Sequence, residues 1–489
     1  MHLRYYSSLN ISKKNGKTNW PSPEKMDMNI YMSIIIDDFI VFPVRKAGLK
    51  MLFLLCKQNR TTLKNQLMSK VLTKQLQNKV SRYFIQLGNH LTKPESRCVR
   101  EMTTGILKSG TVLVNKIAGS IHDTISLSQT TKRFRNHYNK PDFFRKLFRG
   151  HMSTVKTRIC HGDYILFDGS DIQKRYARMM EGLDIVKDGD QSSYGYGYWL
   201  MDVFHFNKNQ EMTPLLNKLY SFDCGAKSEN LEIMEAISEV DSVIDKDVTK
   251  IFDRGMDRPI CRDFILEGQG HFILRLKKTT KLIYKGEEIA VNKISKKIPL
   301  FMDLVASKAG KNKKRKIAFK CGAIKVKYKT KGKEHELWLV VTKKESGGYC
   351  WLLTQSPKEN IVDVIKEAFT AYGFRWKIEE YHRHIKQCYR LEDIQIKTFD
   401  GLQSMLAILT IAMGIMYASL SSLHIKLLLQ SGIKTLNKEK LYELTNFIYY
   451  KISTIIKTLL ANITPRAFLP SPQISRSDGQ LWLALNYEL

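Results

Sequence analysis

The stretch YGFRWKIEEYHRHIK, residues 372–386, decides how the rest of the chain is read. At about 100° per residue on a helix, Tyr372, Arg375, Glu379 and Lys386 fall within an arc of about 60°. Phe374, Ile378, Tyr381 and Ile385 fall on the opposite side, at i, i+4, i+7 and i+11. The pattern predicts a single helix from about Val362 to Tyr389 that buries one apolar stripe. Its other face presents a phenol, a guanidinium, a carboxylate and an ammonium. Such a face suits an anionic ligand with a metal beside it, although solvated i,i+4 ion pairs produce the same pattern. Glu380 lies about 80° from the Tyr372 direction, which favours Glu379, and Trp376 lies about 40° from it, beside the polar stripe. His382 and His384, at i and i+2, point apart and do not suggest a zinc pair.

Two aspartates upstream give this helix a chemical context. Tyr164–Phe167 is an apolar run leading into Asp168 and Gly169, and Val248–Phe252 leads into Asp253, Arg254 and Gly255. Each is read as a strand followed by a glycine turn, where open α/β sheets place ligand groups. Asp171 and Asp257 stand close by and are alternatives; Asp168 and Asp253 are preferred because each directly follows its strand. Two aspartates and a helical glutamate could hold two divalent ions about 4 Å apart, as in-line phosphoryl displacement requires. An all-oxygen site that leaves positions open for water and phosphate suits Mg²⁺.

The surrounding sequence supplies further elements. Strands are expected at Tyr198–Phe206, Phe272–Lys277, Lys281–Tyr284, Ile317–Lys329, Glu336–Lys344 and Tyr349–Thr354. The chain reads as helical from Pro357 towards Ala461. Between Ser96 and Lys140 the pattern is also helical: Leu113, Ile117 and Ile121 mark one helix, and Leu127, Thr131, Phe134 and Tyr138 a second. Lys132, Arg133 and Arg135 lie on the opposite face of that second helix, as a DNA-reading module would need; a wet basic face is the plainer account. The segment Lys308–Lys333 is dense in lysine. Residues 1–75 are basic and irregular, with no assignable role.

The composition points the same way. A formal net charge of +32 repels itself in the folded chain and is usually matched by a polyanion. An AT-rich genome would also enrich lysine. The 43% hydrophobic content excludes a disordered chain. The eight cysteines (Cys56, Cys98, Cys160, Cys224, Cys261, Cys321, Cys350 and Cys388) have no metal-binding spacing, which suggests buried free thiols in a reducing compartment. The first residues show no basic-then-apolar order, so no signal peptide is expected. Met405–Leu423 is long and uncharged enough to cross a bilayer, but its Thr410, Gly414 and serines favour a buried core helix.

The 372–386 run matches Y-x₂-R-x₃-E-x₆-K, and so resembles the signature of the insertion-sequence-four family of bacterial DDE transposases. Leu391-Glu392-Asp393 follows at the family's distance, and the segments around Asp168 and Asp253 look like its two aspartate regions. The resemblance spans roughly Ser96 to Ser422. It implies an α/β fold: a ribonuclease-H-like catalytic core interrupted by a β-rich insertion and flanked by N- and C-terminal helical regions. The corresponding boundaries are 1–75 unassigned, 76–150 helical and DNA-binding, 151–270 the first part of the core, 271–356 the lysine-dense insertion, 357–400 the catalytic helix, and 401–489 a C-terminal helical region. It implies Asp168, Asp253 and Glu379 as catalytic metal ligands for two Mg²⁺ ions, with Mn²⁺ as a substitute. Tyr372, Arg375 and Lys386 would contact phosphates, Trp351 and Trp376 would receive a flipped base, and Arg254, Lys132, Arg133 and Arg135 would add DNA contacts. The partners implied are double-stranded DNA, as terminal inverted repeats and target, and a second copy in a synaptic homodimer, in the nucleoid-associated cytoplasm of a bacterium. An inactive DNA-binding derivative and a structure-selective nuclease on the same core are the alternatives.

Overall fold

The structure, a computed structural model, describes residues 74, 76–187, 194–244, 247–268, 270–308, 315–418, 449–461 and 463–468, with four short strands earlier in the chain. Its contacts divide into two units, Met1–Leu72 and Thr73–Leu489. In the first, β1 (Lys13–Lys14) pairs with β2 (Lys17–Thr18), and β3 (Ile34–Ile36) with β4 (Phe39–Val41), both antiparallel.

The second unit opens with α1 (76–88), α2 (Lys93–Ser109), α3 (Val114–Ser120), α4 (Leu127–Tyr138) and α5 (Phe143–Lys156). Local chemistry sets their ends. Thr92 and Glu95 form a reciprocal capping box at the start of α2, and Ser126 and Gln129 do the same for α4, each satisfying backbone N–H groups left open by the first turn. Gly110 ends α2 at φ 67°, a conformation a side chain would strain. α4 buries Thr130, Phe134 and Tyr138, while Leu127, expected on that stripe, is 52% exposed.

A twelve-stranded sheet follows. Its first part contains β5 (Tyr164–Gln173), β6 (Asp184–Lys187), β7 (Tyr194–Phe206), β8 (Met212–Tyr220), β9 (Thr249–Phe252) and β10 (Phe272–Arg275). The order β8-β7-β5-β9-β10 has β7 antiparallel to both β5 and β8, and β5, β9 and β10 mutually parallel. Helices α6 (Glu229–Asp241) and α7 (Pro259–Glu267) connect these strands. Beyond β10 the sheet continues antiparallel through β16 (Tyr349–Gln355), β15 (Lys333–Lys344), β14 (Arg315–Thr330), β11 (Lys281–Tyr284) and β12 (Glu287–Ala290), with β13 (Met302–Lys308) on the flank of β14. The sequence misses β8 because Pro214 reads as a strand breaker. Pro214 sits opposite Phe204 where the β7–β8 register slips, the position at which a strand tolerates a missing N–H.

The one-turn helix α8 (Val291–Ile294) follows β12, and after the sheet come α9 (Ile361–Tyr372), α10 (Arg375–Gln387) and α11 (Phe399–Ala418), then the helix Tyr449–Leu460. The one long helix expected from Val362 to Tyr389 is two. Gly373 and Phe374 keep helical backbone angles, but Phe374 N bonds to Ala371 O and Lys377 N to Phe374 O, a tightening by one residue that separates α9 from α10. α11 has the length and composition of a membrane span, yet 83% of its apolar window is buried against β8, α5 and α2. It is a core helix.

Candidate active site

Asp168 lies inside β5, not at its end. The strand runs on through Gly169 to Gln173, and the turn expected at Gly169 does not form. Phe167 pairs with Phe252 on the parallel strand β9, so Asp168 and Asp253 are the next residues along neighbouring strands, which run about 4.8 Å apart. Burial pushes the Asp168 carboxyl up to about 7, with Asp253 and Asp202 adding to the rise and His382 and Arg375 opposing it. Burial would also raise Asp253, but Arg375, a hydrogen bond from Tyr372 and the nearby Arg275 hold it below the ordinary carboxylate range.

The cations and the phenol around Asp253 come from three elements. The Tyr372 hydroxyl, at the end of α9, donates to Asp253 Oδ1 at 2.7 Å and accepts from Arg275 Nη1 at 3.0 Å. Arg375 Nε stands 3.6 Å from Asp253 Oδ1, while its Nη2 donates to Glu379 Oε1 at 2.6 Å. Arg375 therefore bridges the second aspartate and the helical glutamate. Lys386, on the same stripe of α10, reaches Glu392 at 3.3 Å and Asp171 at 4.0 Å. Trp376 is half-buried on α10, and Arg254 is exposed in the turn after β9. Trp351, on β16, stacks on Tyr349 with its indole Nε1 buried and without a hydrogen-bond partner.

Asp257 is buried and tied to Arg262, to Lys277 N and to the Thr280 hydroxyl, so it is structural. Asp171 accepts from Gln173 Nε2 at 2.8 Å. Glu380 pairs with Arg383. His382 and His384 do point apart: His384 meets Tyr417 and Ser453, and burial lowers its imidazole to about 3.

The structure brings Asp168 and Asp253 together on adjacent strands, while Glu379 of the expected three-carboxylate site pairs with Arg375 on the exposed side of α10. Among the described residues no group of three or more His, Cys, Asp and Glu side chains could hold a metal ion. Asp168 and Asp253 do fit a hard divalent ion, since they are oxygen donors on adjacent strands in a site where charging Asp168 is costly. On α4, Arg133 is likewise engaged, pairing with Glu101 and with Asp123 at 2.7 Å, whereas Lys132 and Arg135 are exposed.

Sequence reading missed Arg275 and Asp202. Asp202 is fully buried on β7, directly opposite Asp168, and His382 Nε2 donates to it at 2.7 Å. Its signal was present: a lone acid inside the apolar run YWLMDVF must find a buried partner.

Residues 216–415 match the family model described as Transposase DDE domain. The match supports a transposase-type DDE domain over that span, which runs from β8 into α11, includes Asp253, Tyr372, Arg375, Glu379 and Lys386 and leaves Asp168 ahead of it. No curated protein matches the chain. Among solved structures, a chain of the piggyBac transposase synaptic complex with hairpin DNA aligns with 86% of this chain and 84% of its own length, at 10% identity and a TM-score of 0.39.

Proposed function

We propose that the chain is a DNA transposase of the insertion-sequence-four family, cutting the ends of a mobile element and joining them to target DNA. The observation that carries this reading is the meeting of Asp168 and Asp253 on neighbouring parallel strands, with Arg375 of α10 against them. The strand order β8-β7-β5-β9-β10 supports a ribonuclease-H-like core, and the antiparallel strands β11 to β16 support an insertion within it. Asp168, Asp253 and Glu379 are the residues that would hold Mg²⁺, or Mn²⁺ in its place. A bound pair of such ions polarises phosphate and water oxygens for in-line displacement.

The chain's own residues bind and orient the DNA. Arg375 and Lys386 offer charge-assisted donors to the phosphates nearest the cut, and the Tyr372 hydroxyl, already bonded to Asp253, orients that carboxylate. Arg254, Lys132 and Arg135 add exposed cations. Trp376 and Trp351 offer indole faces to an extruded base, worth about 1–3 kcal/mol of stacking each. Two element ends must be held together, so the working form is a homodimer on DNA in the nucleoid-associated cytoplasm of a bacterium.

The ion pair between Arg375 and Glu379 favours one second reading, a DNA-binding derivative without activity. A supercoiled plasmid carrying the DNA that brackets this gene separates the readings. The transposase nicks it in Mg²⁺ and yields joined products, a nuclease nicks without joining, and the inactive derivative only binds. Glu379→Gln should bind that DNA within about threefold of wild type and lose nicking. Undiminished nicking by the variant refutes the role given to Glu379.

A further inference from the structure

The interior of β7 holds a carboxylate that the proposed chemistry does not use. Asp202 is 0% exposed and stands directly across from Asp168 in the β5–β7 pair, so both side chains leave the sheet on one face. Such a group persists in a core only when it is paired and hydrogen-bonded. Its partners come from two directions. From β8, the Asn217 amide donates to Oδ1, while Asn217 Oδ1 itself accepts from the hydroxyls of Thr410 at 2.6 Å and Tyr381 at 3.1 Å. From α10, His382 Nε2 donates to Oδ2 at 2.7 Å, and the imidazole edge packs against the ring of Phe204.

His382 is one turn beyond Glu379, and at about 100° per residue it lies within about 20° of Arg375 around the helix. The pair therefore sits under the polar stripe of α10, beside Asp168. The apolar stripe of Ile378, Tyr381 and Ile385 already holds α10 down, but greasy contacts tolerate small rotations and slides. A directional hydrogen bond to a buried carboxylate does not. A buried polar pair is also a poor source of stability compared with an apolar one of equal volume, so its physical use here is to fix position.

We infer that Asp202 and His382 are a positioning pair for the candidate active site: Asn217 fixes the carboxylate, the carboxylate fixes the imidazole, and the imidazole fixes the rotation of α10 over β5. The inference deepens the proposed function and rests on it for the meaning of that rotation. It assigns neither residue a contact with DNA or with the reacting atoms.

Three variants test it: His382→Ala, His382→Gln and the double variant Asp202→Asn/His382→Ala. Glutamine can carry an N–H to Asp202 in place of the imidazole. The readouts are hydrogen exchange of the α10 amides, the affinity for duplex DNA bracketing the gene, and the single-turnover nicking rate on that DNA in Mg²⁺. In His382→Ala the amides of Arg375–Gln387 should exchange about tenfold faster while β5 and β7 stay protected. Nicking should fall about 100-fold, with affinity within about threefold of wild type. His382→Gln should restore both exchange and rate to within about tenfold of wild type, and the double variant should be no worse than His382→Ala. Unchanged exchange in His382→Ala overturns the inference, as does loosening of β5 and β7 together with α10. A glutamine variant as slow as alanine overturns it too, because the imidazole would then act in its own right. If the wild-type chain fails to nick any bracketing DNA, the transposase reading fails, and α10 exchange still decides whether the pair positions the helix.

Discussion

Burying Asp168 carries an electrostatic cost, and that cost has a sign. Its carboxyl is raised from 3.8 to about 7, chiefly by burial. The folded chain therefore holds this proton more tightly than the unfolded chain does. The stability it contributes is full below about pH 4, the unfolded value, and is lost as pH rises through about 7. Above that, the folded state carries a deficit of at most about 4 kcal/mol at 1.36 kcal/mol per unit. Asp168→Asn removes the deficit, so in EDTA its thermal midpoint should exceed that of wild type at pH 8 and match it at pH 4. Equal midpoints at both pH values would show that Asp168 is solvated. The cation beside it invites the opposite experiment. Arg375 joins Asp253 to Glu379, so Arg375→Ala leaves Glu379 without its 2.6 Å partner and removes the charge that lowers Asp253. DNA affinity should drop with it, since the same guanidinium is the proposed phosphate donor.

At the scale of elements, α10 shows what a sequence can and cannot carry. Its buried face of Ile378, Tyr381, His384 and Ile385 follows the 3.6-residue period, because burial acts on every turn alike. Ile378→Ala should therefore cost about 2–4 kcal/mol by leaving a cavity between α10 and the sheet, read as a fall in the thermal midpoint. A loss below about 0.5 kcal/mol would mean that the helix face is looser than its burial indicates. The α9–α10 junction was not legible, since Gly373 and Phe374 hold helical angles and only their hydrogen bonds slip. β5 was read short for a related reason: Gly169, Ser170 and Asp171 look like turn residues, yet cross-strand pairing to Met201, Leu200 and Trp199 carries them through as strand. The approach of Asp168 to Asp253 depends on parallel register, which no local pattern encodes. The ion pair Arg375–Glu379 follows from the i,i+4 spacing of the two residues, which the sequence shows directly.

Over the whole molecule, a net charge of +32 implies DNA affinity that falls steeply with salt, but the lysine-dense strands are a poor place to locate it. Lys325, Lys327 and Lys329 share one exposed face of β14, and the facing strand β15 sets Glu336 and Glu334 against them. Lys325 pairs with Glu336 at 3.3 Å and Lys327 with Glu334 at 2.9 Å, so two of the three lysines on this face already have an acidic partner. On α4 the balance differs: Arg133 is taken by Glu101 and Asp123, while Lys132 and Arg135 are exposed on a helix with no acidic residue in its sequence. Each phosphate contact contributes about 0.9 to the slope of log affinity against log salt. The double variant Lys132→Ala/Arg135→Ala should lower that slope by up to about 2 and weaken binding evenly across DNA sequences. Lys325→Ala/Lys327→Ala should change it by less than about 0.5, because its glutamate partners already neutralise those charges. The reverse ranking would move the DNA path from the N-terminal helices to the insertion.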